Sequence, residues 1–155
     1  MKLSIVIPTF NNLNYLKLCI KSIKKNSKFN HEIKLHINEG SDGTLEFAKK
    51  NNIFFTYSKD NIGLCSAINK VTSTVNNKYV LYAHDDMYFC PEWDVNLINE
   101  IKTINHDNFF LSGTLIEANT GHIKFDCGNK LSNFDEEKLL NNYKFKNFYD
   151  YQGSH

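Results

Sequence analysis

Hydrophobic positions along the chain follow two alternating rhythms. Leu3–Ile7 (Leu-Ser-Ile-Val-Ile) is short and almost wholly apolar, as expected of a strand buried on both faces of a parallel sheet. Pro8 is expected to stop it. Asn11 or Asn12 then stands where it can cap a helix whose inward positions, Leu13, Leu16, Ile20 and Ile23, recur at helical spacing. A second strand, Ile33–Asn38, alternates Ile33, Leu35 and Ile37 and ends in Glu39-Gly40-Ser41-Asp42-Gly43. The two glycines and the Asx residue mark a turn into a helix around Thr44–Lys50. A third strand, Ile53–Tyr57, leads through Asp60-Asn61-Ile62-Gly63 to a helix reaching Val75. A fourth, Tyr79–Ala83, ends in His84-Asp85-Asp86, and Pro91-Glu92-Trp93-Asp94 opens a helix running to Ile104. The rhythm then changes. Phe109–Ala118 reads as strand, Thr120-Gly121 as a turn, His122–Phe125 as a hairpin partner and Asp135–Asn142 as a last helix.

Strands alternating with helices at this spacing predict βαβ units, and so an α/β fold with a Rossmann-like, mainly parallel sheet flanked by helices. In such sheets ligands bind beyond the carboxyl ends of the strands, where this sequence places its polar, glycine-bearing turns. The 155 residues amount to one domain, able to hide roughly 70% of the surface of the unfolded chain.

Charge narrows the classes. The net charge is +1, and every basic residue is lysine. Guanine reading and phosphate clamping both favour arginine, so no nucleic-acid partner is expected. Lys21, Lys24, Lys25 and Lys28 form the densest basic group, read as a solvated helix face. No apolar run approaches the ~20 residues of a membrane span. Met1 leads straight into the first strand, so no targeting leader is expected. Cys19, Cys65, Cys90 and Cys127 lie far apart without a CxxC pair, which suits reduced thiols and a cytoplasmic location. Zinc or thiol chemistry assembled from Cys65, Cys90, His84 and His106 lacks the required spacing.

Four groups at strand ends carry candidate chemistry. Pro8-Thr9-Phe10-Asn11 offers a rigid turn, a hydroxyl, an aromatic face and an amide, which suit a base and ribose; a proline-capped strand before an Asn-capped helix is the structural alternative. Glu39 can accept from the imide N–H of a uracil-type base, or stand solvated at a helix entry. Around Asn61 and Gly63, with Ala67 and Asn69 beyond, close backbone approach and free helix N–H groups suit phosphate oxygens; a plain capped turn is the other reading. Asp85 and Asp86, adjacent carboxylates after an apolar strand, are costly without a positive partner. They suit Mg²⁺ or Mn²⁺ bridging to substrate phosphates, and an Asx cap on the next helix is the alternative. A chain without arginine needs a metal, lysines or helix N-termini to neutralise a departing diphosphate.

Ser4-Ile5-Val6-Ile7-Pro8-Thr9-Phe10-Asn11, Asn38-Glu39-Gly40-Ser41-Asp42-Gly43-Thr44, Asn61-Ile62-Gly63 with Ala67 and Asn69, and His84-Asp85-Asp86 together closely resemble the family 2 glycosyltransferases, in order and interval, from Met1 to about Ile104. The resemblance implies a GT-A fold and a nucleoside-diphosphate-sugar donor. It implies contacts from Thr9 and Glu39 to base and ribose, and Asn61 and Gly63 along the nucleotide. Asp85-Asp86 would be the counterpart of the Asp-x-Asp element, with Asp86 holding Mn²⁺ or Mg²⁺. The chain departs from the family pattern at His84, where the first acid usually stands, at Glu39 in place of aspartate, and at Ile68, where a basic residue often appears. Family members usually run well beyond 155 residues, so the part that serves the acceptor (a glycan, protein or lipid) is expected to be incomplete. Asp126 and Glu117 remain as candidate bases for an inverting transfer, each with a surface role as the alternative. The aromatic tail, Tyr143, Phe145, Phe148, Tyr149 and Tyr151, is a candidate for covering an apolar patch and for homo-oligomer contacts.

Overall fold

The computed structural model describes residues 1–119 and 122–146. The Thr120-Gly121 turn and the tail from residue 147 onward, with the association expected of it, lie outside the described residues. The chain divides into two compact units, Met1–Val95 and Asn96–His155.

The first unit is built on four parallel strands in the order β3-β2-β1-β4, with β1 at Leu3–Phe10, β2 at Glu32–Asn38, β3 at Phe54–Ser58 and β4 at Tyr79–Tyr82. Helices α1 (Leu13–Asn26), α2 (Thr44–Lys50) and α3 (Leu64–Thr72) connect them. Ile5 and Ile7 of β1, Leu35 and Ile37 of β2, and Leu16, Cys19, Ile20 and Ile23 of α1 form one buried cluster with Ala48 of α2. Val6, between Ile5 and Ile7, is equally buried, which is why this strand reads as an unbroken apolar run rather than an alternation. The chain adds β2 and β3 on one side of β1 and then returns to place β4 on the other. The strand order therefore reverses between β1 and β4, and the crevice at such a switch point is where open α/β sheets bind ligands.

Pro8 does not stop β1; the strand runs on to Phe10. Val6 accepts from Ala83 N on the β4 side at 3.1 Å, and Pro8, two residues on, faces the same side where β4 has already ended. A residue without an N–H costs no ladder bond there. The third helix ends at Thr72 rather than Val75, because the Ser73 and Thr74 hydroxyls take the carbonyls of Lys70 and Val71 at 2.8 and 2.7 Å. Helix α4 (Trp93–Thr103) begins after Pro91-Glu92, since Glu92 has a left-handed backbone with φ 65°.

At the amino ends of the strands, Asp94 is wholly buried. It accepts from Lys28 N, Phe29 N and His31 Nε2 at 3.1, 2.9 and 3.0 Å, while His31 Nδ1 accepts from Leu3 N at 3.2 Å. Burial acts to raise the Asp94 pKa, but these donors outweigh it and hold the carboxyl below its ordinary range.

In the second unit the expected strand over Phe109–Ala118 shortens to β5, Ile116–Glu117, and Phe110 is 94% exposed, so an apolar run alone did not make a ladder. Its partner β6 (Ile123–Lys124) pairs in parallel, not as the expected hairpin: Ile123 N and Phe125 N both donate back, to Leu115 O and Glu117 O. Helix α5 (Glu136–Asn142) is capped by Asp135, which accepts from Lys138 N at 2.9 Å.

Candidate functional site

A cavity of about 360 Å³ opens at the switch point between β1 and β4. Of the residues singled out from the sequence, Pro8, Thr9, Phe10, Asn11, Asn61 and Asp85 line it. Glu39, Gly63, Asn69 and Asp86 do not. Five further lining residues, Asn12, Asn38, Leu64, Tyr82 and His84, were not among the sequence candidates for nucleotide or metal contact. Asp126 and Glu117 belong to the second unit.

Each wall has a local cause. Phe10, the last residue of β1, is 46% exposed at the cavity. Asn11 follows with φ 47°, a left-handed turn that asparagine tolerates. Asn12 occupies the N-cap position of α1 but makes no side-chain cap; its amide instead donates to Asp85 Oδ1 at 2.9 Å. The helix start is held from elsewhere. Asp42 accepts from Leu13 N at 2.7 Å and from Thr44 N and Oγ1 at 3.1 and 2.6 Å, so one carboxylate ties the first turns of α1 and α2 together. Burial opposes the charge on Asp42, yet these donors keep its pKa lowered. Gly40 allows this turn, because a Cβ there would lie 2.8 Å from the Ile37 side chain at φ +72°.

Glu39 is exposed, with φ 59°, and its carboxylate accepts from Ser41 Oγ at 2.9 Å. The side chain from the end of β2 that reaches the cavity is Asn38. Asn61 accepts from Gly63 N at 3.0 Å, which shapes the turn before α3, and Gly63 takes φ 78°. Asn69 stands exposed on α3. Asp126 Oδ1 is committed to a turn, accepting from Gly128 N at 2.8 Å.

The negative charges of Asp85 and Asp86 bear on several groups around the cavity. Burial pushes the Asp85 pKa up; Thr9 and Asn12 oppose this, Asp86 adds to it and His84 opposes it. Burial also raises Tyr82, helped by the negative charges of Asp85 and Asp86. Cys19, behind the same wall, is pushed up to about 12 by burial and then by Asp85 and Asp86. Two polar atoms here lack a well-formed hydrogen bond although buried: Thr9 Oγ1 and Asn11 Oδ1. Thr9 Oγ1 nonetheless lies near enough to Asp85 to favour its charged form. Unpaired buried polar atoms are rare in native interiors, and two of them share this one concavity.

The donor set suits a hard divalent ion only if a ligand completes it. No cluster of three or more His, Cys, Asp or Glu side chains able to hold a metal occurs among the described residues. Mg²⁺ and Mn²⁺ sites of the phosphate-bridging type need one or two carboxylates, with substrate and water supplying the rest. Asp85 and Asp86, whose negative charges help raise the pKa values of two neighbouring groups, Tyr82 and Cys19, fit that type. A larger depression of about 470 Å³ lies along α1, walled by Lys17, Lys21, Lys24, Lys25 and Phe47. It has no carboxylate and none of the candidate nucleotide or metal residues among its lining residues, so the candidate site is the smaller cavity.

The family model described as glycosyl transferase family 2 matches residues 4–155. The chain belongs to that family. A glycosyltransferase of Rickettsia prowazekii (strain Madrid E) is 29% identical over 142 residues, covering 88% of this chain and 43% of the relative. The family 2 chain thus spans less than half the length of that relative. Among solved structures, S. aureus TarS 1-349 in complex with UDP-GlcNAc superposes with a TM-score of 0.58 at 22% identity, over 66% of this chain and 32% of that one. The mannosyltransferase PcManGT from Pyrobaculum calidifontis, in complex with GDP-Man and Mn²⁺, gives 0.54 at 17% identity, over 64% and 31%. These likenesses establish the GT-A fold for the family 2 chain. No helix among the described residues is long and apolar enough to cross a membrane.

Proposed function

We propose that the cavity binds a nucleoside-diphosphate sugar, UDP-linked, and that the protein transfers its sugar to a glycan, protein or lipid acceptor with inversion. The observation that carries this reading is the pairing of two unlike features at the switch point: the buried Thr9 Oγ1 and Asn11 Oδ1, which lack a well-formed hydrogen bond, beside the adjacent carboxylates of Asp85 and Asp86, the first with its pKa raised by burial. A neutral core does not need the second, and a plain turn does not need the first.

In this reading Phe10 offers its exposed face to the base, and Thr9 and Asn11 complete their hydrogen bonds on ribose and base. Glu39 would serve the base only by leaving Ser41. Asn61 and the left-handed Gly63 bring the α3 N-terminus close to the phosphates, and Asn69 stands further along the same helix. Asp85, held by Asn12, and the exposed Asp86 would hold Mn²⁺ or Mg²⁺. When bound, that ion supplies charge neutralisation for the departing diphosphate. The bond from the sugar anomeric carbon to the diphosphate breaks, a bond to the acceptor oxygen forms, and the acceptor proton passes to a carboxylate base. Asp126 and Glu117 are the candidates for that base, and Asp126 would have to leave its turn. Cys19, Cys65, Cys90 and Cys127 form no disulfide among the described residues, which suits a reducing, cytoplasmic setting.

The test is release of sugar from UDP-sugars to water or acceptor, with Mn²⁺, in the wild type and in Asp86→Asn. Because Asp86 is exposed, the variant should unfold at the wild-type temperature. Its metal-dependent turnover should fall by more than the ~10–100-fold typical of outer-shell partners. Turnover unchanged in Asp86→Asn removes the metal assignment. Nucleotide binding without any turnover would instead favour a non-catalytic binding module.

A further inference from the structure

Asn38 was given no role from the sequence, yet its side chain is held at the cavity by two hydrogen bonds. It is 4% exposed and lines the cavity. Its Oδ1 accepts from Ser58 Oγ at 2.9 Å and from Ile62 N at 3.0 Å. The second bond fixes the amide's orientation, since a backbone N–H can only donate and the atom facing it must be the oxygen. Ser58 is itself held: its Oγ takes part with His36 Nε2 at 3.1 Å, and His36 Nδ1 with Thr56 Oγ1 at 2.8 Å. Ser58 spends its hydrogen on Asn38, so it accepts from His36 Nε2–H, and Nδ1 accepts from Thr56. Burial, then the charge of Lys70, hold the pKa of His36 low, against the Asn38 amide, which suits this neutral tautomer. The chain of bonds runs from the sheet interior to the cavity.

One atom of Asn38 is left over. Its Nδ2 has no hydrogen-bond partner among the described residues, so two N–H donors sit at a nine-tenths-buried position on the cavity wall. Asn38 is the register partner of Phe10 across β1 and β2, and both residues line the cavity. An aromatic face and a fixed donor in one cavity match a base, which offers a flat surface and an edge.

We propose that Asn38 Nδ2 donates to a carbonyl oxygen on the edge of a uracil-type base, and so selects a keto base over an amino base. This rests on the nucleotide reading above and deepens it. The selection is for an acceptor at the position where cytosine carries an amino group, because two donors facing each other leave both unpaired. Binding sites built around one such hydrogen bond discriminate strongly against analogues that cannot make it.

The experiment is calorimetric titration of UDP, CDP and GDP into the whole chain with Mn²⁺, for the wild type and for Asn38→Asp. A carboxylate still accepts from Ser58 and Ile62 but offers the cavity an acceptor in place of a donor. The wild type should prefer UDP over CDP by about tenfold or more. In Asn38→Asp the UDP affinity should fall more than the CDP affinity, so that the preference collapses or inverts. Equal UDP and CDP affinities in the wild type, a comparison that needs no variant to fold, overturn the role of Asn38 while leaving the nucleotide reading intact. A folded Asn38→Asp that weakens both ligands equally does the same. Binding of none of the three nucleotides by the wild type removes the nucleotide reading itself, and this inference with it.

Discussion

Asp94 and Asp85 are two aspartates of the same unit at opposite ends of its sheet, and their pKa values move in opposite directions. Asp94, at the amino ends, is enclosed by three donors, and its pKa is lowered despite burial. Asp85, at the carboxyl ends, has the Asn12 amide and the nearby Thr9 hydroxyl, and burial together with Asp86 leaves its pKa raised. The contrast separates a carboxylate whose three donors outweigh its burial from one whose donors do not. Burial alone makes no such distinction; completeness of partners does.

The comparison can be broken most severely at Asp94. Asp94→Ala strands two backbone N–H groups and the His31 ring in the interior, so it should destabilise the protein by about 3 kcal/mol or more, read by denaturant unfolding. Asp42 belongs to the same satisfied class although it lies near the cavity. Asp42→Ala should cost about 2 kcal/mol, one helix cap each for α1 and α2, and a loss near zero would detach it from that class. Asp85→Asn should have the opposite sign: neutral, or stabilising by less than about 1 kcal/mol at pH 7, while metal-dependent nucleotide binding is lost. A destabilisation as large as that of Asp94→Ala would erase the contrast.

Acid titration sharpens the same comparison with a smaller effect. Because the folded pKa of Asp94 lies below its unfolded value, its contribution is present above the unfolded pKa of about 3.9. It is lost as pH falls through the lowered folded value. Asp85 runs the other way: its folded pKa is raised, so stability declines as pH rises from the unfolded value through the folded one. Unfolding followed against pH for the wild type and Asp85→Asn should therefore differ by a decline, present only in the wild type, that begins near pH 4.

The sheet was legible because its strands are continuous apolar runs and its helices repeat at helical spacing; the helix expected around Thr44–Lys50 stands there. The end of β1 was not, since Pro8 is acceptable only where β4 has already stopped, a fact of register that no local pattern carries. Beyond Ile104 the reading weakened because Phe109–Leu115 has apolar composition without a ladder. At the site, Thr9, Asn61 and Asp85 could be read from strand ends. Asn12 could not, because the cap it was expected to provide comes from Asp42, thirty positions later. Asn38 and Glu39 show the same limit: adjacent polar residues end β2, and only the left-handed turn at Glu39 sends one to Ser41 and leaves the other at the cavity.

The central claim is that the buried Thr9 and Asn11 polar atoms and the adjacent acids Asp85 and Asp86 form one site for a metal-bound nucleotide. Calorimetric titration of UDP into the purified chain, with Mn²⁺ and again with EDTA, tests it most directly. The account predicts binding with Mn²⁺ that EDTA abolishes. Equal binding in both conditions would contradict the role of Asp85 and Asp86, and no binding of UDP, GDP or dTDP in either would contradict the site.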